Sequence, residues 1–423
     1  MVPRNIVLQA TAWLAFTCTL VNAEPAAVAR SVIDTLCHRG QFTGLEAQLA
    51  IEGSWLLEEE VLPNPKNPRV TKFKMVLAGG DELTIERRFH NGRLRQMRVG
   101  YFENTGAGPL PTLLAIADGA CRIQSGREIR REGEANVYLD QLDGDLRTLR
   151  WTETLQAPWP SGQDRGGIRV GLVDSGLAYD LDLFRDRLAR DATGAPLGYD
   201  YWEMDPWPYD GDVSRGAFLP IRHGTAVASI LAREAPDAAL VPYRYPRPDM
   251  TRMAALVAKA ARDGVRILAM PLGSTNRQDW IAFEAALEGH DILAVVSAGN
   301  DGRDIDSTPI YPAALPSDRI LTVTSADAFG ALAEGSNWGG QHVDVMLPAE
   351  NLPVIDFRGA SGAASGSSYA VPRVAAMAAR LLEKDPGLTA IQLKARILAR
   401  AAPSPFEREG LLAKGWIPDP LAD

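Results

Sequence analysis

The sequence predicts two domains of different class: a three-layer α/β/α domain with a mostly parallel sheet, preceded by a smaller α+β domain with an antiparallel sheet. In the second half, apolar runs such as VRILAM, DILAVVSA and RILTVTSA alternate with helix-like stretches, which is typical of a parallel sheet covered on both faces. In the first half, Gly79-Gly80, Asn91-Gly92 and Asp143-Gly144 separate alternating runs and indicate β-hairpins. These changes of pattern predict an N-terminal domain over residues 24–157, a Pro-, Gly- and Ser-rich linker over 158–167, and a second domain over 168–423.

Residues 1–23 are typical of a secretory signal peptide. Arg4 gives a positive start, the run from Ile6 to Val21 is apolar, and small residues precede the expected cleavage after Ala23. This run is shorter than the roughly 20 residues that a membrane span needs. We therefore expect an exported mature chain, periplasmic or extracellular, without a transmembrane segment.

Export changes the interpretation of the cysteines. Cleavage removes Cys18 and leaves Cys37 and Cys121, an even number in an oxidising compartment. We predict one disulfide between them, and two buried free thiols are the alternative. No Cys/His cluster has the spacing of zinc ligands.

Composition and charge narrow the class of partner. The chain has 423 residues, of which 46% are hydrophobic and 23% charged, as in ordinary globular proteins. The formal net charge of -9 argues against nucleic acid as a partner, because binding to phosphates favours a positive surface.

Three polar residues stand where predicted strands and helices meet. Asp174 ends the apolar run VGLVD, His223 precedes a Gly-Thr pair and a helix, and Ser368 begins the helix of SGSSYAVPRVAAMAARLLE. A serine hydroxyl becomes a nucleophile when a histidine accepts its proton and a carboxylate orients that histidine. Asn300, in VVSAGND, adds a side-chain amide that could donate to an oxyanion together with the backbone N–H of Ser368.

Together, these motifs resemble the subtilisin-like serine peptidases, or subtilases. The motifs Asp-Ser-Gly at Asp174, His-Gly-Thr at His223, SAGN at Asn300 and GSSYAVP at Ser368 follow that family's order, and the resemblance covers about residues 166–402. It implies a subtilisin-like fold, Ser368 as the nucleophile, and hydrolysis of peptide bonds in a protein or peptide substrate through an acyl-enzyme.

The resemblance also implies a substrate-binding set. One segment matches the strand that pairs with an extended substrate, and another matches the wall of the main specificity pocket. The residues are Leu272, Gly273 and Ser274 in the strand, and Ser297, Ala298 and Gly299 in the wall.

Several departures from the family pattern mark a divergent member. Pro271 and Ser367 replace a usual serine and threonine, and Ala226 and Arg373 stand where histidines are common. None of them removes a catalytic group, and the chemistry requires no cofactor or metal. Structural calcium has no support in the sequence, although the acidic loop of residues 204–212, MDPWPYDGD, could be a calcium loop, a substrate rim or a solvated loop.

We expect an exported serine endopeptidase. The alternative is a catalytically silent subtilase-like protein that binds or scaffolds envelope partners. The N-terminal domain would be either a removed pro-segment or a permanent accessory domain through which an envelope or regulatory partner binds. Its length, and the lack of a motif that we can match to pro-segments, favour the accessory domain.

Overall fold

The computed structural model describes residues 24–37, 43–63, 66, 68–406 and 410–422. The predicted signal peptide, residues 1–23, lies outside these described residues. Contacts divide the chain into two units. One contains the described residues up to Glu128 together with Asp140–Trp151, and the other contains Ile129–Leu139 and the chain from Thr152 onwards. The domain boundaries at residues 157 and 168 stay predictions.

The described residues of the N-terminal part form two helices, α1 (Pro25–Leu36) and α2 (Gly44–Ala50), followed by a sheet whose eight strands lie in sequence order. The strands are β1 (Trp55–Leu62), β2 (Val70–Val76), β3 (Glu82–His90), β4 (Arg93–Thr105), β5 (Gly108–Asp118), β6 (Ile123–Glu132), β7 (Asn136–Asp143) and β8 (Leu149–Gln156). Neighbouring strands from β1 to β6 run antiparallel. Asn91-Gly92 forms the predicted two-residue turn, whereas the other two predicted turns are longer, at residues 77–81 and 144–148.

The apolar side of α1 packs on this sheet because its hydrophobic residues recur every three or four positions. Val28, Val32 and Leu36 are buried in one cluster with Phe73 and Val99 of the sheet. Cys37 follows α1, and the structure joins it to Cys121 in a disulfide bond. This pairing is the one predicted from the cysteine count.

The second sheet has the strand order β10-β11-β9-β12-β13-β14-β15-β18, and its neighbouring strands run parallel to one another. Its strands are β9 (Arg169–Asp174), β10 (Tyr199–Asp200), β11 (Ala239–Arg244), β12 (Ile267–Met270), β13 (Leu293–Ser297), β14 (Ile320–Ala326), β15 (Val345–Pro348) and β18 (Gly415–Trp416). A separate hairpin pairs β16 (Leu352–Ile355) with β17 (Ser361–Ala364).

Helices cover both faces of the parallel sheet. They are α3 (Asp182–Arg185), α4 (Gly224–Glu234), α5 (Met253–Arg262), α6 (Ile281–Glu288), α7 (Ser367–Lys384) and α8 (Ala390–Leu398), with 3-10 turns at Met250–Arg252 and Arg277–Trp280. Because alternate side chains of a strand point to opposite faces, Leu172 packs with the cluster of α4, α7 and α8, and Val173 packs with that of α5 and α6. The predicted fold class, α/β with three layers preceded by an antiparallel α+β part, is confirmed.

Candidate active site

The predicted site residues lie at element ends along the carboxyl edge of the parallel sheet, where ligands bind in open α/β sheets. Asp174 is the last residue of β9, and Asn300 follows the end of β13 by a short loop. His223 is the residue before α4, and Ser368 is the second residue of α7. Buried apolar side chains hold these strands and helices in the core, and the polar residues at their ends lie at the carboxyl edge of the sheet.

The structure brings Asp174 and His223 together. Nδ1 of His223 lies 2.8 and 2.9 Å from the two carboxylate oxygens of Asp174, which is 5% exposed. A carboxylate accepts hydrogen bonds, so Nδ1 carries the ring proton and Nε2 of the neutral ring has its lone pair available. This is the tautomer that a general base needs.

A second buried carboxylate, that of Asp210, is hydrogen-bonded to the segments that carry Asp174 and His223. Asp210 is 1% exposed, and it accepts a 2.7 Å hydrogen bond from the Ser175 hydroxyl and a 3.0 Å bond from the Thr225 N–H. The Ser175 hydroxyl oxygen in turn accepts from the N–H groups of His223 and Gly224, each at 2.9 Å. Asp210 therefore connects the turn after β9 to the start of α4.

Close backbone contact explains the glycine that follows Ser175. Gly176 has a φ of 121°, and a Cβ on it would stand 2.1 Å from the carbonyl oxygen of Tyr209. Only glycine adopts this backbone conformation readily and leaves room for that carbonyl group. The glycine of the Asp-Ser-Gly motif thus allows the loop that carries Asp210 to lie close to the end of β9.

The surroundings of His223 raise its pKa above the ordinary value. Burial disfavours the imidazolium, but the charge of Asp174, its hydrogen bond and the charge of Asp210 act in the opposite direction. The ring of Tyr369 lies 5.7 Å from the imidazole, centroid to centroid. The imidazole thus lies beside the first turn of α7, next to two carboxylates that stabilise its protonated form.

Three serines at or just before the start of α7 have different surroundings. Ser367 is fully buried and hydrogen-bonded, and the Ser365 hydroxyl accepts from the N–H of Asn351 at 2.9 Å. Ser368 is half-buried at the helix start and adjoins Tyr369. Within the described part of the chain, its hydroxyl makes no hydrogen bond with His223, and such bonds often form only in the substrate complex.

Asn300 is held by the residue that precedes the predicted nucleophile. Its side-chain oxygen accepts from both the N–H and the hydroxyl of Ser367, each at 2.9 Å. Since an N–H bonds only to an acceptor, this contact fixes which side-chain atom is the oxygen and leaves Nδ2 to donate elsewhere. Gly366, at φ 120°, leaves room for this amide, because a Cβ there would stand 3.1 Å from the Asn300 oxygen.

A fully buried asparagine shapes the loop that carries Asn300. The side-chain oxygen of Asn337 accepts from the N–H groups of Asp301 and Arg303, each at 3.0 Å, and its Nδ2 donates to the carbonyl of Ala298 at 2.8 Å. Three hydrogen bonds therefore fix the backbone on both sides of Asn300. Asn337 lies in SNWGG, which gave no sign of this role in the sequence.

The first predicted substrate segment has part of its backbone already hydrogen-bonded within the protein. Ser274 exchanges two backbone hydrogen bonds of 2.8 Å with Tyr311, and its hydroxyl contacts Asp279 and Trp280. Leu272 and Gly273 precede this bridge at the end of β12. The backbone of Ser274 is thus already paired within the protein.

The second predicted segment is largely buried. Ser297 and Ala298 are 5% and 0% exposed, whereas Gly299 is half-buried. The hydroxyl of Ser297 lies 2.7 Å from that of Ser367, toward α7. Gly299 is therefore the member of this segment with the most exposed surface.

The acidic loop of residues 204–212 uses its carboxylates internally. Asp205 accepts from the N–H of Trp207, Asp210 belongs to the network described above, and Asp212 accepts from the N–H groups of Ser214 and Arg215. Among the described residues, no group of three or more His, Cys, Asp or Glu side chains is arranged to hold a metal ion. The three carboxylates of this loop therefore all accept hydrogen bonds from the protein itself.

A buried arginine lies among the neighbouring acids. Arg244 at the end of β11 is 3% exposed and lies 3.1 Å from Asp200, 3.5 Å from Glu203 and 3.8 Å from Asp212. Its guanidinium group also lies 4.6 Å from the ring centre of Trp202. Arg244 thus places one positive charge among three carboxylates, of which Asp212 belongs to the acidic loop of residues 204–212.

Comparisons with known proteins agree with these motifs. The chain is 25% identical over 229 residues to the minor extracellular protease Vpr of Bacillus subtilis, covering 50% of this chain and 28% of that one. It is also 25% identical over 336 residues to a thermophilic serine proteinase of Bacillus sp. strain AK1, covering 75% of this chain and 70% of that one. The chain spans about a third of the length of the curated relatives that match it first.

A crystal structure of a cold-adapted subtilisin-like serine proteinase matches 62% of this chain and 91% of its own, with a TM-score of 0.49 and 23% identity. The family model described as Peptidase S8, subtilase family, matches residues 165–415, which is more than half of the chain. The chain therefore belongs to the subtilase family.

Proposed function

We propose that this protein is an exported serine endopeptidase that hydrolyses peptide bonds through an acyl-enzyme on Ser368. The observation that carries the proposal is the contact of His223 Nδ1 with both oxygens of the buried Asp174 carboxylate, beside the start of α7. Ser368 is the nucleophile because the Ser367 and Ser365 hydroxyls are engaged within the protein.

In the acylation half-reaction, Nε2 of His223 accepts the hydroxyl proton of Ser368 as Oγ attacks the peptide carbonyl carbon. Asp174 holds the ring and stabilises the imidazolium that forms. The oxyanion accepts hydrogen bonds from Nδ2 of Asn300 and from the N–H of Ser368. His223 then gives its proton to the leaving amine, and the acyl group stays on Ser368.

Deacylation repeats these steps with water as the nucleophile. His223 accepts a proton from water, the hydroxide adds to the acyl carbon, and the proton returns to Ser368 Oγ as the ester bond breaks. Asn300 stabilises the second oxyanion as it did the first. The backbone of Leu272 and Gly273, at the end of β12, would pair with an extended protein or peptide substrate.

Labelling by a fluorescent fluorophosphonate tests this proposal. We expect the full-length mature protein to react and the Ser368→Ala variant to show no labelling. Ser365→Ala is the matched control, since it removes a neighbouring hydroxyl outside the proposed machinery and should label like the wild type.

The opposite result favours a different function. If the folded wild type is not labelled, the activated nucleophile is absent and the protein is better explained as a silent subtilase that binds envelope partners. If Ser365→Ala abolishes labelling and Ser368→Ala does not, the nucleophile is misassigned.

Export is part of the proposal. It is supported by the signal-peptide pattern of residues 1–23, by the disulfide, and by relatives named as an extracellular protease and a cell wall-associated protease. Among the described residues, no helix has the length and apolar character to cross a membrane. We propose that residues 24–157 stay attached as an accessory domain that contacts an envelope or regulatory partner.

A further inference from the structure

Two buried serine hydroxyls lie behind the Asn300 side chain. The oxygens of Ser297 and Ser367 are 2.7 Å apart, and Ser367 Oγ is 2.9 Å from the side-chain oxygen of Asn300. Ser297 ends β13, whereas Ser367 begins α7. The contact therefore joins the strand that leads to the proposed oxyanion donor with the helix that carries the proposed nucleophile.

The Asn300 side-chain oxygen, at one end of this series of hydrogen bonds, fixes the direction of each bond in it. The side-chain oxygen of Asn300 only accepts, so the Ser367 hydroxyl donates to it. Ser367 Oγ then accepts from the Ser297 hydroxyl, whose oxygen accepts from the N–H of Gly299 at 3.1 Å. Each hydroxyl donates once and accepts once, an arrangement in which successive hydrogen bonds polarise one another.

Burial makes this arrangement hard to replace by water. Ser297 is 5% exposed and Ser367 is fully buried, while Asn300 at the end of the chain of bonds is exposed. Without the Ser297 hydroxyl, Ser367 Oγ loses its buried donor and is free to rotate toward other acceptors. The Asn300 oxygen would then keep only one firmly oriented partner, the N–H of Ser367.

We propose that Ser297 is a positioning residue that orients the Asn300 amide toward the oxyanion through the hydroxyl of Ser367. This role rests on the proposed function, because it requires Asn300 to donate in the transition state. It also gives Ser297 a role other than the pocket wall that the family resemblance implied.

Saturation kinetics of fluorophosphonate labelling test the role of Ser297, since they separate the maximal labelling rate from the half-saturating probe concentration. We expect Ser297→Ala to lower the maximal rate by about 3- to 10-fold, the effect of one hydrogen bond of roughly 1 kcal/mol. The half-saturating concentration should stay within about twofold, because the oxyanion contact strengthens in the transition state.

A double-mutant cycle separates positioning from a structural role. In an Asn300→Ala background, Ser297→Ala should cause no further loss, because no amide is left to orient. The matched control is Ser229→Ala, which removes a buried hydroxyl bonded to Ala226 and Ile355 within the same unit. Its effect on labelling, whatever its size, should be the same in both backgrounds.

A second pair of variants guards against loss of folding. S297T and S297V have the same shape and differ by the hydroxyl, so a higher labelling rate in S297T assigns the effect to hydrogen bonding. Equal rates for this pair, or an undiminished effect of Ser297→Ala without Asn300, would overturn the positioning role. A wild type that never labels overturns the proposed function itself, which separates the two failures.

Discussion

Asp210 shows how a residue outside the predicted triad can tune it. The side chain accepts from Ser175 and Thr225, which hold the turn after Asp174 and the start of α4. Its carboxylate also raises the pKa of His223, together with the charge and hydrogen bond of Asp174 and against the effect of burial. Asp210 therefore affects the His223 imidazole in two ways, through hydrogen bonds that position it and through a charge that raises its pKa.

The pH dependence of labelling should reveal this effect. His223 must be neutral to accept a proton, so the labelling rate should rise with pH through a pKa above the ordinary histidine value. In Asp210→Asn the loss of one negative charge lowers the pKa of His223, and the rising limb should move to lower pH. The maximal rate should also fall about 3- to 10-fold, because Ser175 and Thr225 donate to different carboxylate oxygens and the amide nitrogen that replaces one of these oxygens cannot accept.

Asp205→Asn is the matched control for this pH profile. It removes a carboxylate from the same loop, but Asp205 is not among the groups that shift the pKa of His223. Its rising limb should coincide with that of the wild type. A limb that stays in place in Asp210→Asn, or moves equally in both variants, would contradict the role of Asp210.

At the scale of elements, the loop between β10 and α4 gathers acidic side chains around one cation. Burial, together with the charges of Asp200 and Glu203, raises the pKa of Asp205 to about 7, against the N–H of Trp207 and the charge of Arg244. The folded state therefore favours the protonated carboxyl group. In the unfolded chain, the same group ionises near 3.8.

This difference predicts how the loop affects stability. The pKa of Asp205 is higher in the folded state than in the unfolded chain, so its contribution to the free energy of unfolding is full below about pH 4. That contribution is lost as the pH rises to about 7. Asp205→Asn cannot ionise and keeps an oxygen for the Trp207 N–H. In urea, the variant should unfold at a higher midpoint than the wild type at pH 8, and the two should converge near pH 4. A difference between the two urea midpoints that stays constant from pH 4 to pH 8 would contradict a raised pKa of Asp205 in the folded state.

The elements also show which features local sequence predicts. The strands of the parallel sheet are short apolar runs, so β9, β12, β13 and β14 and the polar residues at their ends could be predicted from periodicity and motif order. Asp210 and Asn337 could not, because their roles depend on partners 35 and 36 residues away, Ser175 and Asp301. Ser367 stood in a known motif, but its link to Ser297 depends on how α7 packs.

At the scale of the whole molecule, the disulfide and the predicted signal peptide both bear on the proposed export. The disulfide joins positions 84 residues apart, and cross-linking so long a loop stabilises a fold by up to about 4–5 kcal/mol through loss of freedom in the unfolded chain. Structural disulfides form and persist mainly in oxidising compartments. The predicted signal peptide and the disulfide are both consistent with the proposed export, since export would deliver the chain to a compartment where a disulfide can form.

Intact mass spectrometry of the exported protein tests this interpretation at the level of the whole chain. We expect a mature protein that begins at Glu24, with no cysteine alkylated before reduction and two alkylated after it. A start near Gln163 would instead identify residues 24–157 as a removed pro-segment. The Ser368→Ala variant, exported in parallel, separates the causes: if it retains the segment that the wild type loses, the protein removes it by its own catalysis, and if both lose it, another peptidase does.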